Sequence, residues 1–200
     1  MTVKKGNIFI VSAPSGCGKT TVVNGVINKT KGIARAITAT SRLPRKGEKK
    51  NKDYYFLTEG VFKNKAKRGD FLEWTKTFGY YYGTPKKEVF NNLKKGNDAI
   101  LVIDVKGAAQ IKKKGIDCTL VFISPPSWAE LVHRLKKRAL DDSEDISIRL
   151  GVARKELAFS KKYDYLIMNK NLEEAIAKLR SIIIAKRCEI EKKPDKYRSG

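Results

Sequence analysis

The sequence predicts an α/β fold in which a doubly wound parallel sheet carries an inserted, partly β subdomain and a small helical segment. Three observations predict it. Short, nearly continuous apolar runs recur along the chain, and helical patterns lie between them. Residues 38–96 then break this rhythm with a composition rich in Gly, Tyr and Lys. A length of 200 residues suits one compact domain with small insertions.

The elements follow in order. Asn7 to Ser12 is apolar throughout its centre, as a strand buried on both faces should be. Thr20 to Lys29 places Val22, Val23, Val26 and Ile27 on one helical face. Inside the insert, Tyr54–Leu57 and Phe71–Trp74 are strand-like, with turns expected at Lys46-Gly47 and Tyr82-Gly83. Trp74 is expected in the core, and Tyr80 and Tyr81 are expected to pack. Ala99–Asp104 and Cys118–Ser124 repeat the buried-strand pattern. After Pro125-Pro126, Ser127–Leu140 is helical, with Trp128, Leu131, Val132 and Leu135 apolar, and an acidic turn, Asp141 to Asp145, follows. Tyr165–Met168 is a shorter strand. Asn171 then caps a helix from Leu172 to Ile190, with Glu174 three residues on, and residues 191–200 read as a frayed tail.

Composition excludes several functions. No apolar run approaches the roughly 20 residues needed to span a bilayer, and the N-terminus leads directly into a strand, so a soluble, cytoplasmic chain with no membrane partner is expected. Cys17, Cys118 and Cys188 are widely spaced and form no CxxC pair, and His133 is expected at the surface. Neither a disulfide framework nor a zinc site is encoded. Forty-three Lys and Arg against 21 acids give a net charge of +22, which favours anionic partners. The lysines are scattered, as a solvated surface requires. No nucleic-acid-binding signature accompanies them, so no specific nucleic acid is expected.

Residues 13–20 carry the sharpest signal. Ala13-Pro14-Ser15-Gly16-Cys17-Gly18-Lys19-Thr20, followed by Thr21, stands where a strand becomes a helix. A triphosphate is met by successive backbone N–H groups, a helix N-terminus and one point cation. Gly16 and Gly18 let the backbone approach, Lys19 reaches the β- and γ-phosphates, and the Thr20 hydroxyl can ligate Mg²⁺. Ala13 stands where the first glycine of such loops is usual. Asp104 ends an apolar run, where it either orders Mg²⁺-bound water or caps a helix.

A second anion-binding constellation lies in the insert. Arg42 and Arg45 flank a proline in a segment too short to be core, and guanidinium forks grip phosphate oxygens. The hydroxyls of Tyr54 and Tyr82 could complete such a cage. Glu73 sits in an otherwise apolar strand, where an ionised carboxylate needs partners. Guanine offers two donors, N1–H and the 2-amino group. Arg134 and Arg138 are four apart, so both project from one helical face.

At these residues the chain resembles the guanylate kinases, a family of P-loop nucleoside monophosphate kinases. The motifs that carry the resemblance run in order from Ser12 to Ala108: the phosphate loop, Thr40-Ser41-Arg42 with Pro44-Arg45 and Gly47-Glu48, Asp53-Tyr54 with Phe56, Phe71 with Glu73-Trp74, Tyr81-Tyr82-Gly83-Thr84, and Ile103-Asp104 with Gly107-Ala108. Arg134, Arg138 and Arg149 match the family's lid pattern.

The resemblance implies a P-loop NTPase-type core (1–37, 97–126 and 150–200), a nucleoside-monophosphate-binding insert (38–96) and a lid (127–149). It implies that Arg42, Arg45, Tyr54 and Tyr82 hold the phosphate of GMP, that Glu73, Thr84 and Thr38 read the guanine, and that Asp104 orders the acceptor site. Lys19 and the three lid arginines would carry phosphoryl transfer from Mg²⁺·ATP. A monomer or homodimer acting on ATP, GMP and dGMP is implied. Four positions depart from the family pattern: Val102, Lys106, Ala139 and Lys170. Val102 removes one orienting partner for Arg42. Three other readings stay open: a related ribose-phosphate kinase, which would have no use for Glu73 or Thr84; an inactive phosphoprotein-binding module, which would not need the intact phosphate loop; and RNA binding, suggested only by charge.

Overall fold

The computed structural model describes residues 6–139 and 146–190; the side chains of Arg138 and Ala139, the expected acidic turn at Asp141–Asp145 and the expected frayed tail at 191–200 lie outside the described residues. The chain opens with β1 (Ile8–Ser12), α1 (Lys19–Lys29) and β2 (Ile33–Arg35). The insert follows as β3 (Thr38–Thr40), β4 (Tyr54–Phe56), α2 (Glu59–Lys67), β5 (Phe71–Thr77) and β6 (Tyr80–Pro85). Next come α3 (Lys86–Lys94), β7 (Asp98–Val102), α4 (Val105–Lys113) and β8 (Thr119–Ser124). Helices α5 (Trp128–Ala139) and α6 (Ile146–Ala158), strand β9 (Tyr165–Met168) and helix α7 (Leu172–Arg187) complete the order.

The main sheet has the order β2-β7-β1-β8-β9 and every pairing in it is parallel. Strand alternation distributes its side chains between two apolar layers. Phe9, Val11, Ile100, Val121 and Ile123 face α1 and α7 through Val22, Val26, Ala175, Leu179 and Ile183. Ile8, Ile10, Leu101 and Leu120 face Val89 and Leu93 of α3 and Ala108 and Ile111 of α4. Buried on both faces, these strands read as continuous apolar runs in the sequence. The side chain of Asn171 caps α7 by accepting the Glu174 N–H at 3.1 Å, as the sequence predicts. At the other end of α7, the Arg187 Nε–H donates to buried Asp98 at 2.7 Å and ties the helix to the start of β7.

The insert builds a second sheet, β4-β3-β6-β5, with mixed pairing. Its small core stacks Phe62 on Phe71 and on Tyr81, with ring centroids 4.5 and 5.4 Å apart.

Three expectations are corrected here. Tyr82-Gly83 is mid-strand, and the hairpin turns instead at Phe78-Gly79, where φ is 50° and 79°. Gly83 serves packing rather than turning: a Cβ there would lie 3.0 Å from both Phe62 Cζ and Trp74 Cβ. Trp74 is not core, and Tyr80, expected to pack, is not packed away: each is 41% exposed, on opposite faces of the β5–β6 hairpin. The apolar run Ala99–Asp104 is strand only to Val102: Ile103 still donates its N–H to the Val11 carbonyl at 3.3 Å and keeps the alternation into the second apolar layer, but Asp104 is the N-cap of α4.

Candidate active site

The phosphate loop joins the C-terminal end of β1 to α1, at the edge where open α/β sheets bind ligands. Gly16 and Gly18 have φ of 84° and 77°, a region costly for a residue with a Cβ. Gly18 also needs its missing side chain, since a Cβ would meet Asn169 Nδ2 at 2.8 Å. That amide, just past the end of β9, donates to the Cys17 carbonyl at 2.9 Å and fixes the loop. Burial pushes the Cys17 thiol up to about 12, so it is an inert packing group. From the first turn of α1, Lys19 Nζ donates to the Ile103 carbonyl at 3.3 Å.

All nine residues from Ala13 to Thr21 line a cavity of about 550 Å³. The same cavity is lined by Thr38, Arg45, Tyr54, Glu73 and Tyr82 from the insert, by Asp104, and by Arg134 and Arg149. One cleft therefore joins both anion-binding constellations that the sequence singles out. Arg134 is held by Glu130 one turn earlier on α5, Nε to Oε1 at 2.7 Å. Arg149 is only 2% exposed. The side chain of Arg138 lies outside the described residues.

Arg42 and Thr84 do not line the cavity. Arg42 is 7% exposed; its Nη2 donates to both oxygens of Glu48 at 2.8 and 3.0 Å, and its guanidinium stands 5.6 Å from the centroid of the Tyr54 ring. Glu48 thus supplies the orienting partner that Val102 does not. Thr84, fully buried, stands behind Glu73 and donates its hydroxyl to Glu73 Oε1 at 2.6 Å.

Glu73 is 3% exposed, and burial pushes its carboxyl up to about 7; the Thr84 hydrogen bond lowers it and the charge of Asp104 raises it further. Asp104 caps α4 by accepting the Gly107 N–H at 2.8 Å through Oδ1. Its Oδ2 accepts the hydroxyls of Thr75 and Thr77 at 2.8 and 3.1 Å. Of the two open readings of Asp104, the cap is the one seen in this geometry.

Sequence reasoning missed Glu156, Thr75, Thr77 and Phe78, which also line the cavity. Glu156 lies two helical turns beyond Arg149 on α6, so the two share a face, and this spacing could have found it. Burial raises its carboxyl to about 7, the Lys19 cation opposes the rise, and Asp104 adds to it. Thr75 and Thr77 could have been found by alternation from Glu73 along β5. Phe78 carried no signal, because its place follows from the left-handed turn. Among the described residues the cavity wall therefore carries four cations, Lys19, Arg45, Arg134 and Arg149, and three carboxylates, Glu73, Asp104 and Glu156.

Comparison with known proteins places these residues in a family. The family model described as guanylate kinase matches residues 5–186. The chain is 46% identical over 190 residues to the guanylate kinase of Protochlamydia amoebophila, covering 95% of this chain and 96% of that protein. It is 42% identical over 198 residues to that of Caldanaerobacter subterraneus subsp. tengcongensis, covering 98% and 96%. The crystal structure of guanylate kinase from Anaplasma phagocytophilum superposes with a TM-score of 0.78 at 33% identity, covering 93% of this chain and 88% of that one. A parallel α/β core, an inserted β subdomain and a shared cleft between them thus coincide with sequence similarity along nearly the whole chain, and the protein belongs to the guanylate kinase family.

Proposed function

We propose that this protein transfers the γ-phosphoryl group of ATP to GMP, and to dGMP, giving ADP and the guanosine diphosphate. The observation that carries this reading is the joint lining of one cavity by a phosphate loop and by the buried carboxylate of Glu73. The loop amides and Lys19 would hold the triphosphate. Arg45, Tyr54 and Tyr82 would hold the GMP phosphate, with Arg42 bracing Tyr54 from behind. Glu73 would accept N1–H and the 2-amino group of guanine, while Thr84 fixes its second oxygen and Thr38 adds a hydroxyl to the base edge.

A GMP phosphate oxygen would then attack the γ-phosphorus in line, and the bond to the β–γ bridging oxygen would break to release ADP. Negative charge spreads over the migrating group, and catalysis is mainly positioning and electrostatic stabilisation. Lys19, Arg134, Arg149 and Arg138 would supply that stabilisation. No side-chain nucleophile is required. Among the described residues no cluster of three His, Cys, Asp or Glu side chains could hold a metal by itself. The fit is instead to an ion shared with the substrate: the exposed Thr20 hydroxyl is a hard oxygen donor beside the triphosphate position, as Mg²⁺ requires. That ion would neutralise charge on the β- and γ-oxygens.

The insert (38–96) and the lid (127–149) would close over the cleft to keep water from competing with GMP. Among the described residues no helix is long and apolar enough to cross a membrane. The test is a coupled ADP-release assay across the common nucleoside monophosphates. GMP and dGMP should support turnover and AMP, CMP and UMP should not. Equal turnover with all of them, or with none, would overturn the assignment.

A further inference from the structure

Gly107 sits in the first turn of α4, and no turn or left-handed conformation requires glycine there, because its φ lies in the ordinary negative range. Glycine inside a helix costs about 1 kcal/mol against alanine, so the position calls for another reason. A Cβ on Gly107 would stand 2.4 Å from Glu73 Oε2 and 3.0 Å from Glu73 Cδ. The next neighbour, Ile103 Cδ1, is 3.4 Å away, an ordinary contact. The space a side chain would fill is thus occupied by one carboxylate.

That carboxylate has no room to retreat. On one side Oε1 is held by the Thr84 hydroxyl at 2.6 Å. On the other, α4 holds the backbone of β5 on either side of Glu73. Gln110 accepts the Trp74 N–H at 3.3 Å and donates to the Trp74 carbonyl at 2.8 Å, and Lys114 donates to the Leu72 carbonyl. Asp104, Gly107, Gln110 and Lys114 form one stripe along α4, and all four meet β5. The helix fixes the strand with polar contacts and leaves a gap where the carboxylate stands.

We propose that Gly107 is a specificity-determining positioning residue: its missing side chain sets the position of the Glu73 carboxylate and so the discrimination of the purine 2-amino group. This rests on the reading of Glu73 as the guanine-recognising group. Alanine at position 107 would push Oε2 off the axis of the bond to the base, leaving one guanine donor unmet.

The experiment compares kcat/KM for GMP and for IMP, which keeps N1–H and lacks the 2-amino group, in the parent, Gly107→Ala and Glu73→Gln. ATP affinity is measured alongside by calorimetry. Both substitutions should lower the GMP-to-IMP ratio by roughly tenfold or more while ATP affinity stays at the parent value. A parent-like ratio in Gly107→Ala with a collapsed ratio in Glu73→Gln would overturn the role of Gly107 and leave that of Glu73 standing. Parent-like ratios in both would overturn the guanine reading itself. If Gly107→Ala fails to fold, Gly107→Ala combined with Glu73→Ala decides. A folded double variant locates the clash at the carboxylate, whereas an unfolded one locates it elsewhere and refutes the proposal.

Discussion

Burial raises the Glu73 carboxyl from 4.5 to about 7, and this shift links folding to pH with a definite sign. Between those two values the folded protein holds a proton on Glu73 that the unfolded chain has lost. Stability therefore falls as pH rises from about 4.5 to 7 and is flat beyond, as far as this group is concerned. The displacement corresponds to about 3 kcal/mol at full ionisation, and Glu156 acts in the same direction. Glu73→Gln should accordingly be more stable than the parent at pH 8, by about 1–3 kcal/mol. The gain should shrink towards zero near pH 4.5. Urea unfolding of both proteins at the two pH values measures it, and a gain independent of pH would show that Glu73 does not titrate in this window. The same residue illustrates what sequence carries: an acid in an apolar strand announces that it needs partners. It does not announce that Gly107, more than thirty residues later, makes the space.

At the scale of elements, α4 does more than cover the sheet. Its N-cap, Asp104, satisfies the Gly107 N–H and also binds two hydroxyls of β5. Asp104→Ala should lose the cap and both threonine bonds, at a cost of about 2–3 kcal/mol. Asp104→Asn keeps an oxygen for the cap and should cost roughly 1 kcal/mol less. Urea unfolding separates the two, and equal losses would mean that the cap contributes nothing. The elements most legible in the sequence were those whose burial is uniform: β1, β8 and α7 lie close to where their apolar patterns put them. Legibility failed where one residue type serves two purposes. Gly83 looks like a turn but makes room for Phe62, and Asp104 looks like the end of a strand but caps α4. Apolarity reports burial rather than pairing, so strand ends blur wherever a loop is also buried. Among the site residues Glu73 stood out because its charge conflicts with an apolar strand, Lys19 through the phosphate-loop motif and Arg149 through the lid pattern of the family, whereas Thr75 and Thr77 look like ordinary strand residues.

For the whole molecule the outstanding quantity is the net charge of +22. Two kinds of cation contribute to it. Lys19, Arg45, Arg134 and Arg149 converge on one concave cavity, where low-dielectric walls strengthen their field. Lysines such as Lys29, Lys63 and Lys178 lie on the surface, half-exposed beside acids in pairs worth little. The first kind fits a small polyanion such as a nucleotide. The second forms a diffuse positive shell, and its attraction for any polyphosphate is non-selective. RNA should therefore bind weakly and through phosphates alone, so affinity falls steeply as counterions compete. Filter retention of unrelated RNAs should be visible near 50 mM salt and lost by about 200 mM, with a similar midpoint for every sequence. A saturating excess of GMP and Mg²⁺·ATP should leave that retention unchanged, because the ligands would occupy the cleft and not the shell. Sequence-selective retention that survives about 200 mM salt, or displacement of RNA by GMP, would mean that the basic surface is organised and continuous with the cleft.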